Sequence, residues 1–471
     1  MKGRQPSSVS DDGKVESLDF KKLLPIFVIV FIDLLGLTII IPLLPLYATS
    51  FGADPFVIGL LAASYPLMQF VGAPVLGRIS DRVGRRPVLI ASQIGTFGGF
   101  LLLGVANSLW LLFIARIIDG ASGANISTAQ AAITDSTTEK TRTQALGLIG
   151  AAFGLGFIIG PIIAFLSLAL TDNNYHTPAF IAAAFSLISI LLTVFWFDET
   201  LTAEERGDRH NDKRLSPQRI WQAITHPAVG ILLLLMFAQQ LAFGGFEQLL
   251  SLFTLNRLGL NASGNAVVFV FVGIIVVIVQ GGLIGRWSRS YGDRRLIYAG
   301  LGLLSVGLLL TALTPRQAVP WYDRSALEVE LTSQADSGLV TSESVSTREI
   351  PIELPDEANA GWSGLLWILA AMTPIAIGGG ILQPAINSLI TKRVDPAQLG
   401  TMLGISASFY SAANAFAPVI GGAMFATLGA IAPFLAWGVL MAFLLGVALR
   451  LVRPGREEKV GRDLARSGAS H

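Results

Sequence analysis

The sequence predicts an all-α membrane protein of twelve transmembrane helices, arranged as two parallel six-helix repeats with both termini in the cytoplasm. Three observations predict it. The 471-residue chain is 52% hydrophobic and only 14% charged, with a mean hydropathy of +0.62. Soluble domains carry about 25% charged residues, so this chain has too few charges to cover a water-facing surface. It contains twelve apolar runs, each long enough to supply the roughly 20 residues that a helix needs to cross hydrocarbon. Finally, the two sets of six runs share markers in constant register.

The first six spans are read near 23–48, 57–77, 88–107, 109–132, 143–170 and 178–198. The second six are read near 227–254, 265–285, 295–314, 362–391, 399–427 and 431–452. This divides the chain into an N-terminal tail (1–22), a first half (23–198), a linker (199–226), a second half (227–452) and a C-terminal tail (453–471). The first 20 residues are polar and lack the apolar core of a signal peptide, so the first helix is expected to direct insertion. With the N-terminus inside, 28 of the 33 Lys and Arg residues fall on the cytoplasmic side, and Arg257, Arg316, Arg324 and Arg348 fall outside. Cytoplasmic loops carry the excess of positive charge, which sets the orientation.

The repeat is legible in two places. Gly77-Arg78-Ile79-Ser80-Asp81-Arg82-Val83-Gly84 after span 2 recurs 208 residues later as Gly285-Arg286-Trp287-Ser288-Arg289-Ser290-Tyr291-Gly292. Gly123, Ile133-Thr134, Leu146-Gly147 and Pro161 recur 257 residues later as Gly380, Ile390-Thr391, Leu403-Gly404 and Pro418. The offsets differ because residues 315–361 form a polar insertion between spans 9 and 10. It carries nine acids against three Arg, and its composition predicts a disordered surface loop, with a lid or partner-binding role as the alternative.

Several function classes are excluded. The chain has no Cys, hence no disulfide and no thiolate metal site. His176, His210, His226 and His471 show no ligand spacing, so no metal is expected. There is no Walker loop, no H-E-x-x-H and no nucleophile elbow. Gly154, Gly156 and Gly160 follow no strand, which rules out a dinucleotide fingerprint. Neither an enzyme nor a nucleic-acid binder is expected, and no cofactor.

The stretch from Gly77 to Leu89, GRISDRVGRRPVL, resembles the signature loop between helices 2 and 3 of major facilitator transporters. Gly150, Gly154, Gly156, Gly160 and Pro161 in span 5 resemble the glycine-proline motif of the drug/proton antiporter branch. Asp33 to Pro42, Tyr65 to Gln69 and Leu109 to Gly120 extend the similarity to tetracycline and multidrug antiporters over about 200 residues. The resemblance implies the major facilitator fold, with a substrate site between parallel repeats near the midplane. It also implies a conformational latch at Gly77, Asp81, Arg82, Gly84, Arg85 and Arg86, with Asp135 as an acidic partner. The latch would stabilise the state whose cytoplasmic side is closed. One departure stands out: the tetracycline exporters carry an acid in span 3, whereas this chain reads Gly95-Thr96-Phe97-Gly98-Gly99.

Ionisable groups at bilayer depth are costly and mark pathways or partners. Asp33 in span 1, Arg116 in span 4 and Glu247 in span 7 are therefore the proton-coupling candidates. Asp119 follows Arg116 at i+3, on the same helix face. Asp33 and Arg116 could equally be an ion pair joining spans 1 and 4, and Glu247 could bind a cationic substrate. Gln69, Asn125, Gln130, Gln239, Gln240, Phe243, Gln383 and Asn387 are candidates for lining an apolar cavity with few polar groups. The expected function is proton-driven efflux of lipophilic compounds by alternating access, with the proton gradient as energy source, in a bacterial inner membrane. The expected partners are lipid, protons and a small-molecule substrate, and a monomer is expected. A proton-coupled sugar or peptide importer, or a non-transporting receptor, are the alternatives; the paucity of polar groups in the spans favours apolar cargo.

Overall fold

The computed structural model describes residues 20–123, 125–137, 139–201, 225, 229–336, 350–394 and 399–452. The linker, apart from its edges, and both tails lie outside them. Among the described residues, twelve helices are long and apolar enough to cross a membrane. The first six are α1 (Phe20–Ile40), α2 (Pro55–Val83), α3 (Arg85–Gly104), α4 (Leu109–Asp135, broken at Gly123), α5 (Glu139–Ala169) and α6 (His176–Phe195). The second six are α7 (Gly230–Leu258), α8 (Ala262–Tyr291), α9 (Asp293–Ala312), α10 (Ser363–Arg393), α11 (Leu399–Leu428) and α12 (Ala432–Leu451). Their exposed side chains, among them Leu67, Phe70, Leu187, Val267 and Phe443, are apolar, as lipid contact demands.

Two boundaries differ from the sequence reading. Span 1 ends at Ile40, and a separate short helix, Leu44–Ser50, follows; Pro42 and Pro45 lack the N–H groups that would continue the ladder. The signature "loop" is almost all helix. α2 runs through Arg82 to Val83 and α3 starts at Arg85, so Gly84 alone makes the turn, at φ +119°. Its repeat mate Gly292 makes the same turn at φ +79°. Only glycine adopts such backbone freely.

Within each half the helices pack in matching pairs: α3 on α6 as α9 on α12, and α3 on α4 as α9 on α10. The halves meet along α2–α11 and α5–α8. Small residues carry this contact. A Cβ at Gly59 would overlap the Pro418 carbonyl, and Gly422 lies against Pro55 and Gly59. Gly273 lies against the Phe157 backbone, and Gly154 lies beside Val277. Close approach of this kind, with small residues at the crossing, holds helices together where lipid removes the hydrophobic drive.

The helix ends around Arg82–Arg86, Arg289–Arg295 and Lys392–Arg393 share one face, the basic face. The insertion covers the opposite face. The interface is tight towards the insertion and loose towards the basic face. In α2 the buried residues are Pro55 to Ser64, then only Ser80. In α8 they end at Gly273 and Val279, and none lies in Ile284–Tyr291. Side chains built at Gly77, Gly281, Gly282 and Gly404 would meet open space. The molecule is therefore closed on the insertion face and parted on the basic face.

The insertion is folded wherever it is described, contrary to its composition; residues 337–349 lie outside the described set. The Gln317 and Val319 N–H groups bond the Arg257 and Leu258 carbonyls at the end of α7, both at 3.0 Å. Arg316 pairs with Glu353 at 2.8 Å. The helix Arg324–Asp336 then crosses the face, burying Leu327 and Leu331 in the core beside Ile352 and Leu354. Those four apolar side chains supply the burial that an acidic average conceals.

Candidate functional site

Two polar sites lie inside the bundle, one in each half. In the first half a small cleft is lined by Asp33, Tyr65, Gln69, Thr96, Asp119, Gly123 and Asn125, with Leu34, Leu37, Phe100 and Ile126 as its apolar walls. Arg116 Nη1 pairs with Asp119 Oδ2 at 3.2 Å, both side chains being buried. Its guanidinium also lies over the Tyr65 ring, 4.5 Å from the centroid, where the ring quadrupole attracts a cation. Thr96 bonds Asp119 from α3. Gln69 Nε2 donates to Tyr65 Oη at 3.1 Å and to the Gly123 carbonyl at 3.0 Å, which fixes the break in α4.

Asp33 stands apart from this pair. The ion pair with Arg116 that joins spans 1 and 4 does not form; Arg116 takes its partner from its own helix instead. Gln93 Nε2 donates to Asp33 Oδ2 at 3.5 Å and to Ser189 Oγ at 2.8 Å. Asp33 Oδ1 is buried with no hydrogen-bond partner. A buried carboxylate lacking a cation carries a large desolvation cost, which a proton removes. Protonation of Asp33 would remove that uncompensated charge.

In the second half Gln240 Nε2 donates to Asn414 Oδ1 at 2.7 Å. Tyr410 also bonds Asn414 and lies near Glu247. Phe243 leans on Phe246, with ring centroids 6.2 Å apart, and covers Gly379. Glu247 makes no hydrogen bond or ion pair among the described residues. Gln239 is buried, with its side-chain carbonyl unpaired. On α10, Gln383 and Asn387 are half-buried, and Asn387 Oδ1 is unpaired.

The structure thus gathers Asp33, Gln69 and Asn125 into one cleft, and Gln240, Phe243 and Glu247 along one helix. Gln130 is exposed and joins neither. Sequence reading missed Gln93, Thr96 and Ser189 around the first site, and Tyr410 and Asn414 around the second. A polar residue in mid-span was the available signal for each.

The signature residues form a buried ion-pair network at the basic face. Arg85 Nε pairs with Asp135 at 2.9 Å, and its Nη1 reaches Asp81 at 2.7 Å and Ser80 at 3.1 Å. Glu199 caps the start of α3, accepting from the Arg85 N–H at 2.8 Å and the Arg86 N–H at 3.2 Å. Arg86 reaches the carbonyls of Thr193 and Val194 at the end of α6. These contacts stay within the first half, as expected when the basic face is parted. The repeat preserves the network with its charges exchanged. Asp293 stands where Arg85 stands and Lys392 where Asp135 stands, and they pair at 2.6 Å. Ser288, the mate of Ser80, donates to Asp293, as does Ser388 at 2.6 Å.

In α5, Gly156 lies against Leu34 and accepts from Thr38 through its carbonyl at 2.9 Å, while Gly160 lies on Thr38 itself. Gly154 faces the other half at Val277. Gly150 and Pro161 lie on the same helix. The motif therefore packs α5 on α1, the helix that carries Asp33, and on α8.

Comparison with known proteins matches this architecture. A model of the Major Facilitator Superfamily fits residues 26–323 and 358–470. The class B tetracycline resistance protein of Escherichia coli is 33% identical over 276 residues, 58% of this chain and 68% of that protein. Multidrug resistance protein 1 of Bacillus subtilis (strain 168) is 27% identical over 396 residues, 84% and 87% of the two chains. A mutant of the nucleoside transporter NupG superposes with a TM-score of 0.69 at 11% identity, covering 92% of this chain and all of that one; this likeness concerns the fold alone. Between residues 26 and 470 the family match is interrupted only at 324–357, the stretch holding the helix that crosses the insertion face. The chain therefore belongs to the Major Facilitator Superfamily, and it is a multi-pass membrane transporter rather than an enzyme.

Proposed function

We propose that this transporter exports lipophilic organic compounds in exchange for protons, with its basic face in the cytoplasm of a bacterial inner membrane. The observation that carries the reading is Asp33, a buried carboxylate with an unpartnered oxygen, beside an Arg116 that is already paired with Asp119. Loading a proton on Asp33 and releasing it removes and restores one uncompensated charge, which biases an alternating equilibrium. Arg116 stays protonated and keeps Asp119 neutralised meanwhile. The names of the tetracycline and multidrug resistance relatives support export and apolar cargo. On the other side, Glu247 lies among Phe243, Tyr410 and the Gln240–Asn414 pair, a setting suited to a flat cation with an apolar body.

The test is efflux of ethidium from cells expressing the protein, with and without an uncoupler, beside Asp33→Asn. Efflux stopped by the uncoupler and by the mutation is expected. Efflux by Asp33→Asn that still follows the pH gradient would remove Asp33 from the coupling site.

A further inference from the structure

The helix Arg324–Asp336 lies outside the matched family fold, yet it makes a polar contact that joins the two halves across the insertion face, beside the bond from Ser251 of α7 to the Pro42 carbonyl. It is built onto the second half through the sheet-like contact of Ala318 with Ala360, the 2.9 Å bond from Asn256 to the Glu353 carbonyl, and the bonds to the end of α7. From that base it reaches across to pack on the Leu44–Ser50 helix of the first half. Glu330 sits at the crossing. Its Oε2 accepts from Asn261 Nδ2 of the second half at 3.2 Å. Its Oε1 accepts from Tyr175 Oη of the first half at 2.8 Å. Tyr175 is fully buried and stacks edge-on against Tyr47, whose hydroxyl meets His176 Nδ1 at 3.0 Å. The donor side of the bond is therefore held rigidly by the first half.

We propose that Glu330 is the pin of a gate on the insertion face: it ties the first half, through Tyr175, to a strap anchored on the second half, and every transport cycle must break and remake that tie. A half-buried carboxylate gripped by neutral donors from opposite halves, Tyr175 on one side and Asn261 with the Ala262 backbone on the other, on a helix whose Leu327 and Leu331 are buried, is not the contact that stability alone would select. Burying the charge costs free energy, and leucine at this place would suit a permanent contact better. A polar pin is strong when both donors are present, and once the halves part it is readily satisfied by water. This makes it a releasable contact. The proposal rests on alternation between the halves and not on the compound carried.

The chain lacks Cys, so Leu170→Cys and Leu313→Cys, both exposed at the insertion-face ends of α5 and α9, give one spin-labelled pair. Pulsed EPR distances across this pair in lipid nanodiscs read the gate without any substrate, so failure here is distinct from failure of the efflux reading. Tyr175→Phe and Glu330→Ala should each raise the long-distance population relative to the short one by roughly tenfold, the factor carried by one hydrogen bond to a charged group. Glu330→Gln keeps an acceptor and should stay close to the parent. Parent-like distances in both Tyr175→Phe and Glu330→Ala would overturn the proposal. If Glu330→Ala does not fold, Tyr175→Phe, which removes one hydroxyl, decides by the same two outcomes.

Discussion

The charge-exchanged repeat can be tested by moving one half's arrangement into the other. The side chains of Arg85 and Asp135 are each 3% exposed. Removing one partner of a buried pair costs about 3–5 kcal/mol, because the other is left uncompensated. Arg85 retains Asp81, but that carboxylate is 44% exposed and compensates only in part. Asp135→Asn should therefore cost about 3 kcal/mol, the lower end of that range, and Asp135→Lys more, since it sets two cations side by side. In the second half Lys392 is 48% exposed, and Ser288 and Ser388 still donate to Asp293. Lys392→Met should therefore cost only about 1 kcal/mol, the scale of an exposed pair.

The decisive variant is the double exchange, Arg85→Asp with Asp135→Lys, which copies the Asp293–Lys392 pair with Ser80 in the place of Ser288. It should recover at least half of the loss seen in Asp135→Lys. The assay is unfolding of the purified protein by SDS titration from mild detergent, followed by tryptophan fluorescence. A double variant no more stable than Asp135→Lys would refute the claim that the two networks are equivalent devices with opposite polarity.

Other expectations follow from the same geometry. Gly59→Val should abolish transport without unfolding the halves, because its Cβ would overlap the Pro418 carbonyl; the spin-labelled pair should report an insertion face held open. Asp119→Asn should leave Arg116 buried without a counter-charge and lower stability by about 3 kcal/mol, read by the same SDS titration. Glu247→Gln should impair efflux of cationic dyes far more than of neutral ones, measured on two substrates in the same cells. The gate should also respond to pH. Burial holds the Glu330 carboxyl above the ordinary Glu range, despite the Tyr175 and Asn261 bonds that favour its charged form. The closed gate thus binds the proton more tightly than the open one. Its advantage is full below the ordinary Glu value, about 4.3, and is lost as pH rises through the raised value. Tyr175, held well above its usual range by burial and by Glu330, stays neutral throughout. His176, which meets the Tyr47 hydroxyl behind it, is a second ionisable group, so the EPR titration needs Glu330→Gln, in which the acid-driven closure should vanish.

What was legible in the sequence follows from which physical signals are local. Span number and the repeat rest on apolar length and on glycines that the packing requires, such as Gly84 at φ +119°; both could be read directly. Asp135 as the partner of Arg85 was legible because acids at helix ends near Arg clusters are few. The charge exchange was hidden, since Arg85 against Asp293 looks like a mismatch when residues are matched by identity. The strap was hidden by averaging: nine acids dominate the composition, whereas the fold depends on Leu327 and Leu331, one helical turn apart. The true partner of Arg116 needed side-chain direction. Asp119 at i+3 and Asp33 on another helix were both in reach on paper, and only the packing of α1 against Gln93 and Ser189 separates them.

The two polar sites are not repeat images of each other, and this bears on how they divide the work. Carrying the two offsets along the chain, the mates of Asp33, Gln93 and Thr96 are Leu241, Leu301 and Leu304, and those of Arg116, Asp119 and Ser189 are Thr373, Ala376 and Gly446. Conversely, Gln240, Glu247 and Asn414 have Ile32, Ile39 and Phe157 as mates. A pair of sites inherited from one ancestral half and kept for one task would retain matching positions, as the Arg85–Asp135 and Asp293–Lys392 networks do. Here, apart from Thr373, each half became polar where the other stayed apolar. The first half gained a closed set of partners around a fixed cation, suited to holding a proton. The second gained a carboxylate, Glu247, near Tyr410 and without a cation among the described residues, which fits the proposed role of meeting one that arrives. The proposed exchange then requires only that the two carboxylates not be loaded in the same state. Because α5 packs both on α1 beside Asp33 and on α8 across the interface, the proposed movement of one half against the other would change the surroundings of Asp33 as the second-half site changes face.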